Sequence, residues 1–171
     1  LGALGVGTSF YFWTHNTPPA SLVYIVDDYA LYNLTGGTRA AITPGNTAIP
    51  TGNIAAAQSF FVKGVTTGTL TYRNSMRLSG LNSQFYRLNS QTDPYENIER
   101  HRLWLDLKND AGAFKEVLVG YIENATNGFE NGLDGEAIEA GNVISLYTIA
   151  ADKNLTIQGR ALPFDVNDQV A

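Results

Sequence analysis

The stretch Arg102-Leu103-Trp104-Leu105-Asp106-Leu107-Lys108 decides the fold class. Strand side chains alternate between the two faces of a sheet, so Leu103, Leu105 and Leu107 share one face. Arg102, Trp104, Asp106 and Lys108 share the other. The turn formers Asn109-Asp110-Ala111-Gly112 follow, and then the apolar run 114–122. Two such runs around a glycine-bearing turn predict a β-hairpin. The leucine row is expected in the core with Val119, Leu146 and Ile157. An apolar ring as large as Trp104 is expected to be covered too, which requires a second layer on its face.

The same reading extends to the rest of the chain. Aromatic and β-branched runs predict strands at 10–14, 22–26, 29–34, 54–62, 68–73, 85–88, 143–149 and 155–162. Three consecutive alanines at 55–57 allow a helical alternative over 54–58, but Ser59-Phe60-Phe61-Val62 suits a strand better. Short strands broken every 8–12 residues or so by Gly, Asn and Pro indicate an all-β fold. The expected architecture is an antiparallel β-sandwich, jelly-roll or Ig-like, of two packed sub-regions. The polar segment Asn89-Ser90-Gln91-Thr92-Asp93-Pro94 reads as a linker or long loop between them. The sub-regions are therefore drawn at residues 1–92 and 93–171.

Charge changes at the same place. Residues 1–96 carry four acids and five bases, whereas 97–171 carry twelve acids and six bases. The net charge of −5 argues against a nucleic-acid partner, which would need a basic stripe to displace counterions. No apolar run approaches the roughly 20 residues of a membrane-spanning helix. Having no cysteine, the chain offers neither disulfides, nor a thiolate nucleophile, nor thiolate metal ligands. The opening residues 1–10 lack the basic start of a secretion signal.

Catalytic motifs are missing. Gly7-Thr8-Ser9-Phe10-Tyr11 fails the nucleophile-elbow pattern at its fifth position, and His15 and His101 have no nucleophile context. Gly2-Ala3-Leu4-Gly5-Val6-Gly7 has the wrong spacing for a dinucleotide loop, with no strand before it. No enzyme activity and no cofactor are expected. The oxygen-rich segment 123–139 is the most suggestive for a metal, with Glu123, Asn124, Asn127, Glu130, Asn131, Asp134, Glu136 and Glu139. Calcium favours six to eight oxygen ligands. The helix-loop-helix spacing fails, however, because Gly135 as the obligatory glycine puts Gly132 and Gly141 at ligand positions. A solvated turn is expected instead, and no metal. Exposed rings on β-sandwiches can stack on sugars, which makes Trp13, Tyr29, Tyr32 and Trp104 the candidates for ligand stacking and polysaccharide an alternative partner.

Residues 101–109, 113–128, 134–135, 146–149 and 155–170 carry a resemblance. With Gly120-Tyr121-Ile122, Ala125-Thr126-Asn127-Gly128 and Ile157-Gln158-Gly159-Arg160, they are similar to the C-terminal regions of type IX secretion cargo proteins. The class is the type C sorting-signal domain of secreted and gliding-surface proteins of Bacteroidota. Residues 10–17, 28–30, 34–37, 54–62 and 74–77 resemble what usually precedes it. The resemblance implies a secreted or outer-cell-surface location. It implies a non-catalytic module, acting as a folded spacer or adapter in export, surface attachment or adhesion, with the type IX or attachment machinery as partner. The family continues past Val170 with Pro-Leu-Gly and further strands, so the chain is expected to be a piece of a longer protein that does not direct export alone. Strand-pairing with another chain is expected at any open sheet edge.

Overall fold

A computed structural model describes residues 6–14, 28–40, 49–69, 71–79, 100–139 and 143–171. It has two sheets. In the first, β1 (Val6–Trp13), β2 (Tyr29–Tyr32), β3 (Gly37–Thr38) and β4 (Phe61–Gly64) lie in the order β3-β2-β1-β4, all antiparallel. The second holds β5 (Arg100–Lys108), β6 (Phe114–Ile122), β7 (Gly135–Glu136), β8 (Thr148–Ala150) and β9 (Lys153–Ala161). Its order is β5-β6-β9-β7, with β8 also on β9. The β6–β9 pair is parallel, so this sheet is mixed rather than antiparallel throughout. Among the described residues the helical content is one 3₁₀ turn, Asn74–Met76.

The expected hairpin is present in full, with Arg100 opposite Ile122 and Lys108 opposite Phe114. Gly112 takes a φ of +88° in its turn, which glycine adopts without a Cβ penalty. Ala151 and Asp152, at φ +49° and +58°, form the two-residue turn between β8 and β9. Positive φ at both central residues is the turn type whose twist suits a hairpin.

The two sheets share a core of Tyr11, Leu31, Leu118 and Ile157, flanked by Tyr29, Trp104 and Ile138. Alternation along β1 sends Phe12 to the opposite face, where Phe10, Phe12 and Phe60 cluster with ring centroids 5.4–6.3 Å apart. Phe12 is 1% exposed, so the first sheet is buried on both sides.

Three expectations are corrected. The leucine row is on the outside: Leu103, Leu105 and Leu107 are 56%, 45% and 38% exposed. Trp104 instead faces the first sheet, and its indole Nε1–H donates to the Gly37 carbonyl at 3.0 Å. The inner face of β5 is the polar one because the first sheet offers it polar partners. Leu146 is half-buried, and Val119 and Ile157 are buried on opposite faces of their sheet. Secondly, the predicted strand 54–62 is shortened to its end, β4, with a turn around Ala56 and Ala57 that Gln58 N–H closes onto Ala55 O. No strand forms at the described residues of 68–73, and that of 143–149 is reduced to β8. Thirdly, the segment 123–139 is solvated only in part: Glu123, Asn124, Asn127, Asn131 and Glu139 are exposed, whereas Asp134 and Gly135 are buried in the fold. The strands predicted at 22–26 and 85–88, and the linker at 89–94, lie outside the described residues.

Candidate functional site

Loop 123–136 is the junction between the sheets. Asp134 is buried, and its carboxylate accepts the Gly159 N–H at 2.8 Å and the Glu130 N–H at 2.5 Å. Burial pushes this carboxyl up, and the two N–H donors pull it back down. The loop's carbonyls turn toward the first sheet. Ser9 Oγ donates to Asp134 O, while Asn33 Nδ2 and Thr35 Oγ1 both donate to Leu133 O. Leu34 N–H reaches Gly132 O. Tyr11 donates its hydroxyl to Glu136 O at 3.0 Å, and burial together with the nearby Glu136 charge pushes the phenol up to about 12.

Of the acids in this segment, Glu136 is neutralised from elsewhere in the chain. Glu136 pairs with Lys153 and with Lys63, and those ammonium groups hold its carboxyl below the ordinary range. Glu130 accepts the Thr126 N–H, and Asn127 accepts the Ala161 N–H at 3.1 Å. Among the described residues, no three His, Asp or Glu side chains converge as a metal ion requires.

A second polar group closes one end of the inter-sheet space. Arg39, just after β3, donates its backbone N–H and Nε to Glu116, each at 2.7 Å, and its Nη2 to both Glu116 and Asp106. Glu116 and Asp106 are register partners on the inner face of the hairpin. Burial pushes Glu116 up, against the lowering effect of Arg39. Tyr29, Ser145, Tyr147 and Thr156 line a cleft beside this group. Its volume is about 30 Å³, room for a water or two. Small-molecule pockets run to roughly 300–1,000 Å³.

The four predicted stacking residues do not form one platform. Trp13 and Tyr29 are partners in the β1–β2 register, with Trp13 36% exposed and Tyr29 half-buried. Tyr29 meets Phe61 edge to face at 6.0 Å, and Phe61 is 61% exposed. Tyr32 is buried on the opposite face, where its ring lies 2.6 Å from the position a Cβ on Gly52 would take. Trp104 belongs to the second sheet. Phe61 was missed because its strand was drawn too long to show where it is exposed.

The C-terminal residues clasp the outer face of the second sheet. Arg160 Nε donates to Asp168 at 2.7 Å, and the Tyr121 hydroxyl donates to the same carboxylate oxygen at 2.9 Å. Arg160 holds the Asp168 carboxyl below its ordinary value. Phe164 lies against Tyr121 and His101, with centroids 4.8 Å away in each case. Of the two histidines, His101 is thus part of a packing contact, and His15 lies outside the described residues.

Fold and site together define a two-sheet β module in which Asn33, Thr35, Glu116 and Asp134 are spent on joining its own parts. The chain belongs to the family described as a domain of unknown function, DUF8693, which matches residues 5–171. Searches of curated proteins and of solved structures found no match.

Proposed function

We propose that this chain is a non-catalytic module of a type IX secreted protein, a folded spacer or adapter at or outside the cell surface. The observation that carries the reading is how its motif residues are used. Gly120-Tyr121 lies beside Gly159-Arg160 in the parallel β6–β9 register. The two glycines admit Thr35 and Leu133, and the tyrosine and arginine hold Asp168. Glu116 and Asp134, two of the buried acids, hold Arg39 and two backbone N–H groups. Side chains committed in this way serve rigidity and not turnover. The test is localisation of the full polypeptide bearing this chain in a Bacteroidota host, with and without type IX export. Appearance outside the cell only when export works is expected; equal amounts outside in both strains overturn the assignment.

Carbohydrate binding is the second reading, supported by the partly exposed rings of Trp13, Tyr29 and Phe61 in the first sheet. On this reading a polysaccharide quenches tryptophan fluorescence and Trp13→Ala removes the effect. An unchanged signal across glucans, chitin and xylans excludes it.

A further inference from the structure

We infer that the segment 65–79 is an arm that docks on a second copy of this chain, at a rim formed by Glu139, Tyr147, Ile149 and Asp152. The arm leaves the first sheet at the end of β4, and every described residue in it is exposed. Its backbone is held locally, with Met76 N–H donating to Arg73 O and Arg77 N–H to Asn74 O. Yet Tyr72, Met76 and Leu78 are 66%, 54% and 63% exposed. Three large apolar side chains so close together exceed the single scattered ones that are normal on a surface, and they mark a contact site. The charge of the arm has one sign. Arg73 and Arg77 are interleaved with the apolar residues, and no acid stands between Asp28 and Asp93 in the sequence. Among the described residues neither arginine pairs with an acid, whereas Lys63, just before the arm, is held by Glu136.

The rim has the matching character. No base lies between Lys115 and Lys153 in the sequence. Ile149, 45% exposed, is the register partner of Asn154, whose Nδ2 donates to Glu139 Oε1 at 3.0 Å. Tyr147, 39% exposed, lines the cleft beside Glu116 together with Glu139. Asp152 is exposed in the turn of the β8–β9 hairpin. Its neighbour Lys153 pairs with Glu136. Of the bases lining the cleft, Arg39 pairs with Glu116 and Asp106, and Lys115 has a partner of its own. Asn154 is neutral, so Glu139 and Asp152 keep their charges available. Within one copy the arm and the rim are both exposed, so they do not cover each other. A second copy sets apolar side chains against apolar ones and arginines against acids, and such complementarity selects a partner. Two copies that exchange arms use the contact twice and close on a two-fold axis. An anionic bilayer fits less well. The regular structure of the arm is one 3₁₀ turn and no long amphipathic helix, and the chain behind it carries a net charge of −5.

Sedimentation velocity of the whole chain tests the inference. Concentration-dependent association is expected. Reversing the arm with Arg73→Glu and Arg77→Glu should raise the dissociation constant about tenfold or more, and about 0.5 M salt, which screens exposed charges, should weaken association as well. Reversing the rim with Glu139→Lys and Asp152→Asn should act like the arm variant; asparagine suits the φ of +58° at that turn position. An equal mixture of the two variants should regain association, because each arm then meets a rim of opposite sign on the other copy. All four positions are exposed, so the circular dichroism spectrum and melting temperature of each variant should match the parent. A chain that is monomeric at all concentrations overturns the inference. So does association indifferent to these substitutions, or a mixture that stays monomeric. Binding of a monomeric chain to phosphatidylglycerol vesicles that the arm variant loses also overturns it, by assigning the arm to lipid.

Discussion

Gly120 and Gly159 lie side by side in the parallel register of β6 and β9, and neither has room for a side chain. A Cβ on Gly120 would come 2.5 Å from Thr35 Cγ2, and one on Gly159 would come 2.8 Å from Leu133 Cβ. Both contacts lie on the inner face, where loop and first sheet press against the second sheet. Gly120→Ala and Gly159→Ala are each expected to destabilise the chain by about 1–3 kcal/mol, the usual range for overpacking. Urea denaturation of the two variants checks this. A loss confined to one of them would show that the neighbour of the other can retreat.

Trp104 and Leu105 are adjacent, and their truncations should differ sharply. Trp104 packs against the shared core and donates to Gly37 O. Because its ring is only half-buried, Trp104→Ala is expected to cost about 2–3 kcal/mol, below the ~3–5 kcal/mol of a fully buried aromatic. Leu105→Ala should cost less than about 1 kcal/mol, as exposed positions do. Equal losses would mean that the outer leucine face is covered in solution.

The same two residues show what could be read from the chain beforehand. Period-two alternation was enough for the hairpin and its turn, because those depend on local spacing. It could not say which face is inside. That choice depends on Arg39 and Gly37, which reach the second sheet from distant positions and make a partly polar inner face the better-bonded one. The segment 123–139 was misread for a related reason. Its acids have no basic neighbour in sequence before Lys153, and Lys63 arrives only through the packing of the sheets. Of the stacking candidates, Trp13 and Tyr29 are neighbours because β1 and β2 are; spacing alone could not exclude Tyr32 and Trp104.

Asp134 ties loop 123–136 to β9 through the Gly159 N–H and closes the loop on itself through the Glu130 N–H. Asp134→Ala strands both N–H donors in a buried setting, at about 1–3 kcal/mol each. A total loss of roughly 2–5 kcal/mol is expected in thermal or urea unfolding. Asp134→Asn keeps one acceptor oxygen and should fall between. Because the carboxylate is already spent on these donors, calcium is expected to raise the melting temperature of the parent chain no more than an inert salt does. A calcium-specific rise that Asp134→Ala removes would mean that the loop opens to take up the ion.

The Arg160–Asp168 pair makes the C-terminal clasp sensitive to acid. Both side chains are below one-tenth exposed, and the guanidinium holds the Asp168 carboxyl below its ordinary value. A depressed carboxyl contributes stability above its unfolded value and loses it as pH falls through the folded one. Glu116 and Asp134 have the opposite sign. Burial raises them, so between their unfolded and folded values acidification stabilises rather than weakens the fold. The clasp is therefore expected to open at a pH below the ordinary aspartate range, with the two sheets still paired. Ile149 N–H, which is held by Ala171 O, reports on the tail. Its protection factor in hydrogen exchange should stay level down to that range and then drop, ahead of the amides shared by β5 and β6. In Asp168→Asn the drop should be present already at neutral pH, with no further acid step. Protection in the parent chain that persists until global unfolding would assign the tail's attachment to Phe164, packed on Tyr121 and His101, in place of the ion pair.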